Sequence, residues 1–219
     1  MTKEELYETI KNRIIAQEFK PEQVLNEKEL IKTFNVGRTP LREVLFDLQR
    51  DGLVNVLPRY GTIVTPLSLD DLRNLAQLRP TLEELVVDIL NEHIKQEQLD
   101  EIKKLLEKAD AIMLTYKDQP LPESTLTELR NLEAKVHIAM YNSTENPYLI
   151  SVCRKLQANC ERYWCYAKMD TNQIIDQVHD IKQVYNALHA RDKERCKYLM
   201  RMHSINYIQC VLSSLAKVK

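Results

Sequence analysis

The distribution of glycine constrains the fold of this chain more than any other feature of its sequence. All three glycines, Gly37, Gly52 and Gly61, lie within the first 61 of its 219 residues. Glycine is the default residue wherever a tight turn needs a positive φ angle, so a long segment without it contains few such turns. Residues 62–219 are therefore predicted to form long helices joined by short connections.

A different pattern occupies residues 1–66, where three helical stretches precede a hairpin. The predicted elements are helices over 3–17, from Asn26 to Phe34 and over 39–51, then strands over 53–57 and 62–64 around a turn at 58–61. Apolar residues recur at helical spacing in each helix, and Asn26 is the predicted N-cap of the second, with Glu29 three residues on. Three helices and a small hairpin in this order predict a winged helix-turn-helix domain.

The third of these helices carries the residues best placed to read DNA. It begins after a turn, with the Thr39 hydroxyl as its predicted cap. Arg38 lies at its start and Arg42 one turn later, pointing away from the apolar face. An arginine there can contact a guanine edge in the major groove through two hydrogen bonds, worth roughly 1–3 kcal/mol of discrimination. The alternative is that these arginines form solvated ion pairs with Glu43 or Asp47.

Overall charge does not predict a nucleic-acid partner for this chain. The net charge is −1, and residues 1–64 hold ten Lys/Arg and ten Asp/Glu, so DNA binding has to follow from where the charges lie. Five cysteines without a Cys-x-x-Cys pair predict reduced thiols. The sequence shows no signal peptide and no apolar run long enough to cross a membrane, and a cytoplasmic protein is therefore expected.

Residues 67–219 show six helical patterns and no strand pattern, which predicts an α-helical bundle as a second domain. The first of these helices is capped by Ser68 and extends to about His93, with a bend or a restart at Pro80. The other five are predicted over about 98–117, 124–143, 147–168, 171–190 and 192–216. The predicted fold class is therefore mainly α, with an N-terminal winged helix-turn-helix in residues 1–66 and a C-terminal all-α helical bundle in residues 67–219.

Together these motifs resemble the GntR family of bacterial transcription regulators. In the first domain the resemblance rests on the runs Leu25–Leu30, Val36–Leu45 and Asp51–Val54, with Leu48 and Gly61. The second domain is similar to the FCD branch of the family in its Glu133 and His137 pair, Asn146-Pro147, His179, and the positions of Cys196, Met200 and His203. The resemblance implies a homodimeric repressor or activator that binds double-stranded DNA and whose helical domain binds a small organic acid.

The same resemblance implies which residues contact DNA. Carried over position by position, they are Lys28, Arg38, Thr39 and Arg42, with Gly61 allowing the tip of the wing to enter the minor groove. Lys28 and the Thr39 hydroxyl are suited to phosphate contacts, which fix the register of the protein on the duplex, whereas the arginines are suited to base edges.

A candidate metal site consists of one glutamate and three histidines. Glu133 and His137 are four residues apart and therefore project from the same face of one helix, while His179 and His203 lie among apolar residues of two other helices. Imidazole ligands suit zinc, nickel or iron, and the FCD resemblance places metal ligands at these four positions. The family usually has aspartate in place of Glu133, so direct ligation, ligation through water and no ligation by this residue stay open. The alternative for each histidine is a hydrogen-bonded residue of the core.

Arg79 is the candidate contact for an effector carboxylate, because a guanidinium can bind a carboxylate through two hydrogen bonds. The alternative for Arg79 is an ion pair with Glu83, four residues on. Two other functional classes use the same residues: a metal-dependent enzyme built on the glutamate and histidine cluster, and an architectural DNA-binding protein with a structural metal and no effector. An enzyme is disfavoured, since no acid or base is visible beside the ligands and no glycine loop could hold a phosphate.

Overall fold

The computed structural model describes residues 1–57, 59–117 and 119–217, over which the chain forms nine α-helices and three short strands. In chain order the elements are α1 (Lys3–Ile15), β1 (Val24–Leu25), α2 (Glu27–Phe34), α3 (Arg38–Arg50), β2 (Val54–Leu57), β3 (Gly61–Val64), α4 (Leu69–His93), α5 (Gln96–Thr115), α6 (Glu123–Ser143), α7 (Pro147–Ala167), α8 (Thr171–His189) and α9 (Lys193–Lys217).

These elements form two compact units. The N-terminal unit comprises Met1–Asp71 and Ala158–Tyr166, and the helical unit comprises Leu72–Gln157 and the described residues from Ala167 onward. The N-terminal unit contains three complete helices, a small sheet and a segment of α7, and the helical unit contains no strand within the described residues. The predicted fold class, mainly α with an N-terminal winged helix-turn-helix and a C-terminal all-α bundle, is confirmed.

Side-chain capping fixes the start of α2 as predicted. The Asn26 side chain accepts hydrogen bonds from the backbone N–H groups of Lys28 and Glu29, at 3.0 and 3.4 Å. The helix ends at Asn35, whose φ of 50° lies in the left-handed region and turns the chain toward α3. The three helices bury their apolar faces in one core, which includes Leu6, Ile10, Ile14, Leu30, Phe34, Leu41, Val44, Leu45 and Leu48.

The cap predicted for α3 is wrong. Gly37, with φ of −76° and ψ of 164°, is the N-cap residue, and no side-chain hydrogen bond caps this helix. Thr39 is instead the second residue inside the helix, because helical geometry already begins at Arg38. The first backbone N–H groups of α3 therefore lack a side-chain cap, at a helix end where the helix dipole favours an anion.

A three-stranded antiparallel sheet completes the winged helix, with strand order β1-β3-β2. The predicted hairpin consists of β2 and β3, with Val54 paired to Val64 and Leu57 to Gly61. Gly61 has φ of 97°, a conformation that favours glycine. Pro58, which belongs to the predicted turn, lies outside the described residues. Strand β1 is absent from the prediction because two residues are too few to show an alternating pattern.

Helix α4 runs unbroken through Pro80, so the predicted alternative of a restart there is wrong. A proline inside a helix removes one backbone hydrogen bond and costs roughly 3 kcal/mol. The apolar face of α4 offsets this cost by burying Leu72, Leu75, Val86, Val87 and Leu90. In the described part of the chain, no helix is both long and apolar enough to cross a membrane.

Candidate metal site and DNA-reading helix

Three buried polar side chains converge inside the helical unit: Glu133 and His137 from α6 and His203 from α9. His137 Nε2 lies 2.9 Å from Glu133 Oε1 and 3.0 Å from His203 Nε2, and His203 Nε2 lies 3.3 Å from the same Glu133 oxygen. Each of these side chains is at most 3% exposed. One carboxylate oxygen and two imidazole nitrogens therefore meet at a single point of the core.

The orientation of His137 is set by a second carboxylate, Glu83 of α4. His137 Nδ1 lies 3.0 Å from Glu83 Oε1. Because an ionised carboxylate only accepts hydrogen bonds, Nδ1 carries the hydrogen and Nε2 faces Glu133 and His203. A carboxylate behind a histidine in this way is the arrangement that orients metal-binding imidazoles in proteins.

Glu83 is in turn held by donors from three helices. Arg79 Nε donates to Glu83 Oε1 at 3.0 Å, Tyr141 donates to the same oxygen at 2.6 Å, and the Ser204 hydroxyl donates to Oε2. Burial opposes ionisation of Glu83, but the positive charges of Arg79 and His137 outweigh it and hold the pKa well below its usual range. Glu83 is thus an ionised anchor for Arg79 and His137.

The carboxylates of this cluster lie against groups of opposite charge. Burial alone would lower the pKa of His137, but Glu83 and Glu133 outweigh it and raise the pKa to about 9. Burial would likewise raise the pKa of Glu133, and the two histidines lower it to about 2. At neutral pH the carboxylates of Glu83 and Glu133 are therefore ionised and face protonated His137 and Arg79.

Two buried atoms of the cluster lack a hydrogen-bond partner, Glu133 Oε2 and His203 Nδ1. A buried carboxylate oxygen without a partner is costly unless a proton or a cation compensates it. Neighbouring ligand atoms of an octahedral ion with bonds near 2.1 Å lie about 3.0 Å apart, close to the separations in this cluster. Two imidazole nitrogens and a carboxylate oxygen at these distances are a donor set that fits a divalent metal.

The fourth predicted ligand, His179, is not part of this cluster. Its side chain is exposed on α8, whereas the preceding residue, Val178, is 1% exposed. The buried face of α8 runs through Ile174, Val178 and Ile181 at helical spacing, so His179 is rotated away from the core by about 100°. The expectation that His179 joins Glu133 and the other two histidines is therefore corrected.

Arg79 is almost fully buried and makes the ion pair with Glu83 that the sequence offered as one alternative. Its Nη2 group also donates to Gln157 at 3.2 Å and lies 3.4 Å from His137 Nε2. The guanidinium carbon lies 5.0 Å from the centre of the Tyr207 ring. Arg79 thus belongs to the same polar cluster as the histidines.

Several members of this cluster are missing from the sequence-based site: Tyr141, Gln157, Ser204 and Tyr207. One spacing signal was available, since Tyr141 follows His137 by four residues, as His137 follows Glu133. No comparable signal marks Gln157 or Ser204, because polar residues at isolated helical positions are usually exposed.

The residues predicted to contact DNA lie on the surface of the N-terminal unit. Lys28, Arg38, Thr39 and Gly61 are exposed. Arg42 is 56% exposed and its Nε lies 3.0 Å from Glu27 Oε2.

The alternative to a DNA contact was an ion pair of these arginines with Glu43 or Asp47. Arg42 pairs with Glu27 instead. Glu43 and Asp47 pair with Lys3 of α1, at 3.5 and 3.0 Å. Asp47 also pairs with Arg50. The start of α3 therefore exposes Arg38 and Arg42, and Arg42 is paired with Glu27 of α2.

Two family profiles match separate parts of the chain. The profile described as "Bacterial regulatory proteins, gntR family" matches residues 2–64, and that of the FCD domain matches residues 74–206. The first covers the winged helix, and the second covers every residue of the polar cluster except Tyr207, which lies one residue beyond the match.

Individual proteins agree with these matches. The chain is 27% identical over 217 residues to the HTH-type transcriptional repressor GlaR of Escherichia coli K12, covering 96% of both chains. It is 29% identical over 145 residues to the HTH-type regulator YdhC of Bacillus subtilis, a match that spans 66% of this chain and only 62% of that protein. Among solved structures, E. coli McbR/YncC superposes with a TM-score of 0.81 at 20% identity, covering 97% of this chain and 99% of that one. At this identity the superposition establishes the fold alone.

Proposed function

Since the chain belongs to the gntR family of bacterial regulatory proteins and carries an FCD domain, we propose that its helical unit senses a small organic acid through a bound divalent metal ion. The family membership makes the protein a DNA-binding transcription regulator and not an enzyme. The acid, the metal and a homodimeric assembly are the parts that this proposal adds.

The convergence of Glu133, His137 and His203 is the observation that carries the metal proposal. Their three donor atoms lie within 3.3 Å of one another, and the partnerless Glu133 Oε2 is a further acceptor for a cation. Mixed imidazole and carboxylate ligands favour zinc, nickel or iron over magnesium and calcium. When bound, the metal supplies a Lewis-acidic position to which a carboxylate can bind.

Charge balance explains why the ligand would be an acid. His137 must give up its Nε2 proton before that nitrogen can bind a metal. With a dication in place of this proton, two carboxylates face three positive charges, and the buried cluster carries one net positive charge. A carboxylate restores neutrality, which matters because an unbalanced buried charge costs several kcal/mol. Arg79, whose Nη2 faces the same cluster, supplies a second contact for the acid.

DNA recognition is proposed to use the exposed start of α3 and the wing. Arg38 and Arg42 would contact base edges in the major groove, and Lys28 and the Thr39 hydroxyl would contact phosphates. The N-terminus of α3, which no side chain caps, supports a phosphate contact at the same place, because the first N–H groups of a helix have no partner within it. Gly61 would let the wing approach the minor groove.

We propose a homodimer whose two reading helices bind half-sites separated by about 34–36 Å or a multiple of that distance. An operator with two-fold symmetry is therefore expected. The acid would change DNA affinity by changing the arrangement of the two reading helices.

The experiment that tests this proposal measures metal and acid binding separately. Protein purified without a histidine tag is analysed for bound metal, and its melting temperature is then measured with a panel of mono-, di- and tricarboxylic acids, before and after treatment with a chelator. We expect near-stoichiometric metal, and at least one acid that raises the melting temperature only in the metal-loaded protein.

Two outcomes would contradict parts of the proposal. The metal site is excluded if the purified protein holds no metal and takes up no zinc, nickel or iron when these are added. If no acid stabilises the metal-loaded protein and no acid alters its DNA affinity, the acid sensor is excluded. The protein would then be an architectural DNA-binding protein with a structural metal.

A further inference from the structure

Helix α3 exposes one large apolar side chain on the side opposite its core face. Four apolar residues of this helix, Leu41, Val44, Leu45 and Leu48, are at most 2% exposed. Phe46 is 59% exposed. A partner that covered this ring would remove apolar surface from water, which is favourable, and the ring lies on the helix proposed to read DNA.

Phe46 lies on the same stripe of the helix as two arginines. Arg42 precedes it by four residues and Arg50 follows it by four, so successive members are displaced by about 6 Å along the axis and about 40° around it. Both arginines are exposed, and each contacts a carboxylate beside the stripe, Glu27 for Arg42 and Asp47 for Arg50. The aromatic ring therefore lies between two cations on the surface proposed to face DNA.

The chemistry of the major groove limits what a phenylalanine can recognise there. Base edges present hydrogen-bond donors and acceptors, which Phe46 cannot satisfy, and one apolar group, the C5-methyl of thymine. The flanking arginines favour a polyanion over an apolar protein surface as the partner of this stripe. DNA therefore accounts for both the charge and the exposed ring.

We propose that Phe46 determines operator sequence by packing against the C5-methyl group of a thymine, beside the base pair that Arg42 contacts. The inference rests on the proposed role of α3 as the reading helix, and it adds an apolar contact to the polar ones described above. Burying one methyl group is worth about 0.8 kcal/mol, which corresponds to about a fourfold change in affinity.

Replacement of thymine by uracil tests this contact, since it removes the methyl group and leaves base pairing unchanged. The probe is a duplex that the wild-type protein selects from a random oligonucleotide pool, and each thymine is replaced by uracil in turn. We expect one thymine position in each half-site at which uracil weakens wild-type binding about fourfold. The Phe46→Ala variant binds the thymine duplex more weakly and does not distinguish thymine from uracil at that position, whereas Phe46→Leu retains part of the preference.

Tyr198→Ala is the matched control, because Tyr198 is an aromatic residue 63% exposed on α9 of the helical unit. This variant should keep the wild-type ratio of thymine to uracil affinities at every position. Circular dichroism checks that Phe46→Ala remains helical, as expected for an exposed side chain.

The inference is overturned if Phe46→Ala keeps the wild-type ratio at all thymines, or if no uracil substitution weakens wild-type binding. It is also overturned if the main effect of Phe46→Ala is a smaller oligomer in sedimentation, which would assign the ring to a contact between copies of this chain. If Arg42→Ala binds the selected duplex as tightly as the wild type, α3 is not the reading helix, and the proposed DNA contacts fail together with the role of Phe46.

Discussion

His137 and His203 face each other through their Nε2 atoms at 3.0 Å, with ring centroids 5.1 Å apart. Two imidazole nitrogens at this distance cannot both carry a hydrogen that points at the other, so they share either one proton or one cation. Glu133 Oε1 completes the contact, at 2.9 and 3.3 Å from the two nitrogens. Exchange of a proton for a metal ion at this position would therefore need no new set of contacts.

Metal content should depend on His137 and His203 and not on His179. We expect His137→Ala and His203→Ala to lose bound metal, because each removes one of three ligands. His179→Ala should retain the wild-type amount, since this side chain is exposed on α8. Inductively coupled plasma mass spectrometry of untagged protein measures the metal per chain. A loss of metal in His179→Ala as large as in His203→Ala would require α8 to turn its exposed face inward in the loaded protein.

Metal binding should release a proton near neutral pH. The raised pKa of His137, about 9, means that the metal-free protein holds this proton at pH 7 and that the metal displaces it. Release should be close to one proton per metal at pH 7 and should decline as the pH rises through about 9. Calorimetric titration of metal into chelator-treated protein, in two buffers of different ionisation enthalpy, measures this number. A release that is independent of pH would contradict the assignment of the proton to His137.

The same pKa has a consequence for the metal-free protein. Because the folded-state value lies above the value of about 6.5 expected in an unfolded chain, protonated His137 stabilises the folded state. This stabilisation is fully present below pH 6.5 and is lost as the pH rises through about 9. Melting temperatures of chelator-treated protein between pH 6 and 9.5 should therefore fall more steeply for the wild type than for His137→Gln.

Glu83 should control metal affinity without binding the metal. It fixes the orientation of His137 through Nδ1 at 3.0 Å, and loss of such a partner typically weakens metal binding 10- to 100-fold. We expect Glu83→Gln to show a loss in this range in a competition assay with a chromogenic chelator. The matched control is Glu84→Gln, since Glu84 is its neighbour in α4 and pairs with Arg201 instead. Equal losses in the two variants would mean that general charge, and not the contact with His137, sets the affinity.

Much of the fold could be predicted because its signals are local. The Asn26 cap, the wing glycine Gly61 and the repeat of apolar residues along each helix depend on a few neighbouring positions. The errors have equally local causes. Threonine is a common N-cap residue, which is why Thr39 was predicted as the cap. Gly37, two residues earlier in the chain, has the extended conformation of the N-cap instead. A restart at Pro80 was a fair alternative from propensity, and burial of the rest of α4 overrides it.

The site was harder to predict because its members come from four helices. Glu133 and His137 share a helix face, so their proximity follows from their spacing. The contribution of His203 depends on how α9 packs against α6, and the exclusion of His179 depends on the rotation of α8, neither of which periodicity determines. His203, which the family resemblance implied as a metal ligand together with Glu133 and His137, lies beside both of them. A shift of one residue along α8, from Val178 to His179, separates a buried position from an exposed one.

Tyr163 should stabilise the N-terminal unit through the segment that follows the wing. Its hydroxyl donates to the Ser68 carbonyl at 2.7 Å and accepts from the Ser68 N–H at 3.1 Å. Tyr163→Phe removes both hydrogen bonds and should lower the free energy of unfolding by about 1 kcal/mol, because both bonds are partly buried. Denaturant titration followed by circular dichroism measures this change. Tyr166→Phe, at a residue 46% exposed on the same helix, is the control and should change stability little.

Operator binding should depend strongly on Arg42 and should improve when its partner loses its charge. A bidentate contact to guanine is worth about 1–3 kcal/mol, so Arg42→Ala should weaken binding to the selected duplex from about 5-fold to more than 100-fold. Helicity and dimerisation should persist, since the side chain is largely exposed. Glu27→Gln removes the carboxylate that lies 3.0 Å from Arg42 Nε and repels phosphates, so it should tighten binding, most clearly at low salt.

Electrophoretic mobility shifts at two salt concentrations measure these effects, with Lys104→Ala as the control for charge alone. Lys104 is exposed on α5, in the helical unit, so its loss changes net charge by the same amount as Arg42→Ala without touching α3. If Lys104→Ala weakens binding as much as Arg42→Ala, the arginine acts only through overall charge. If Glu27→Gln weakens binding instead, the carboxylate holds Arg42 in its reading position, and the ion pair between them is part of the recognition surface.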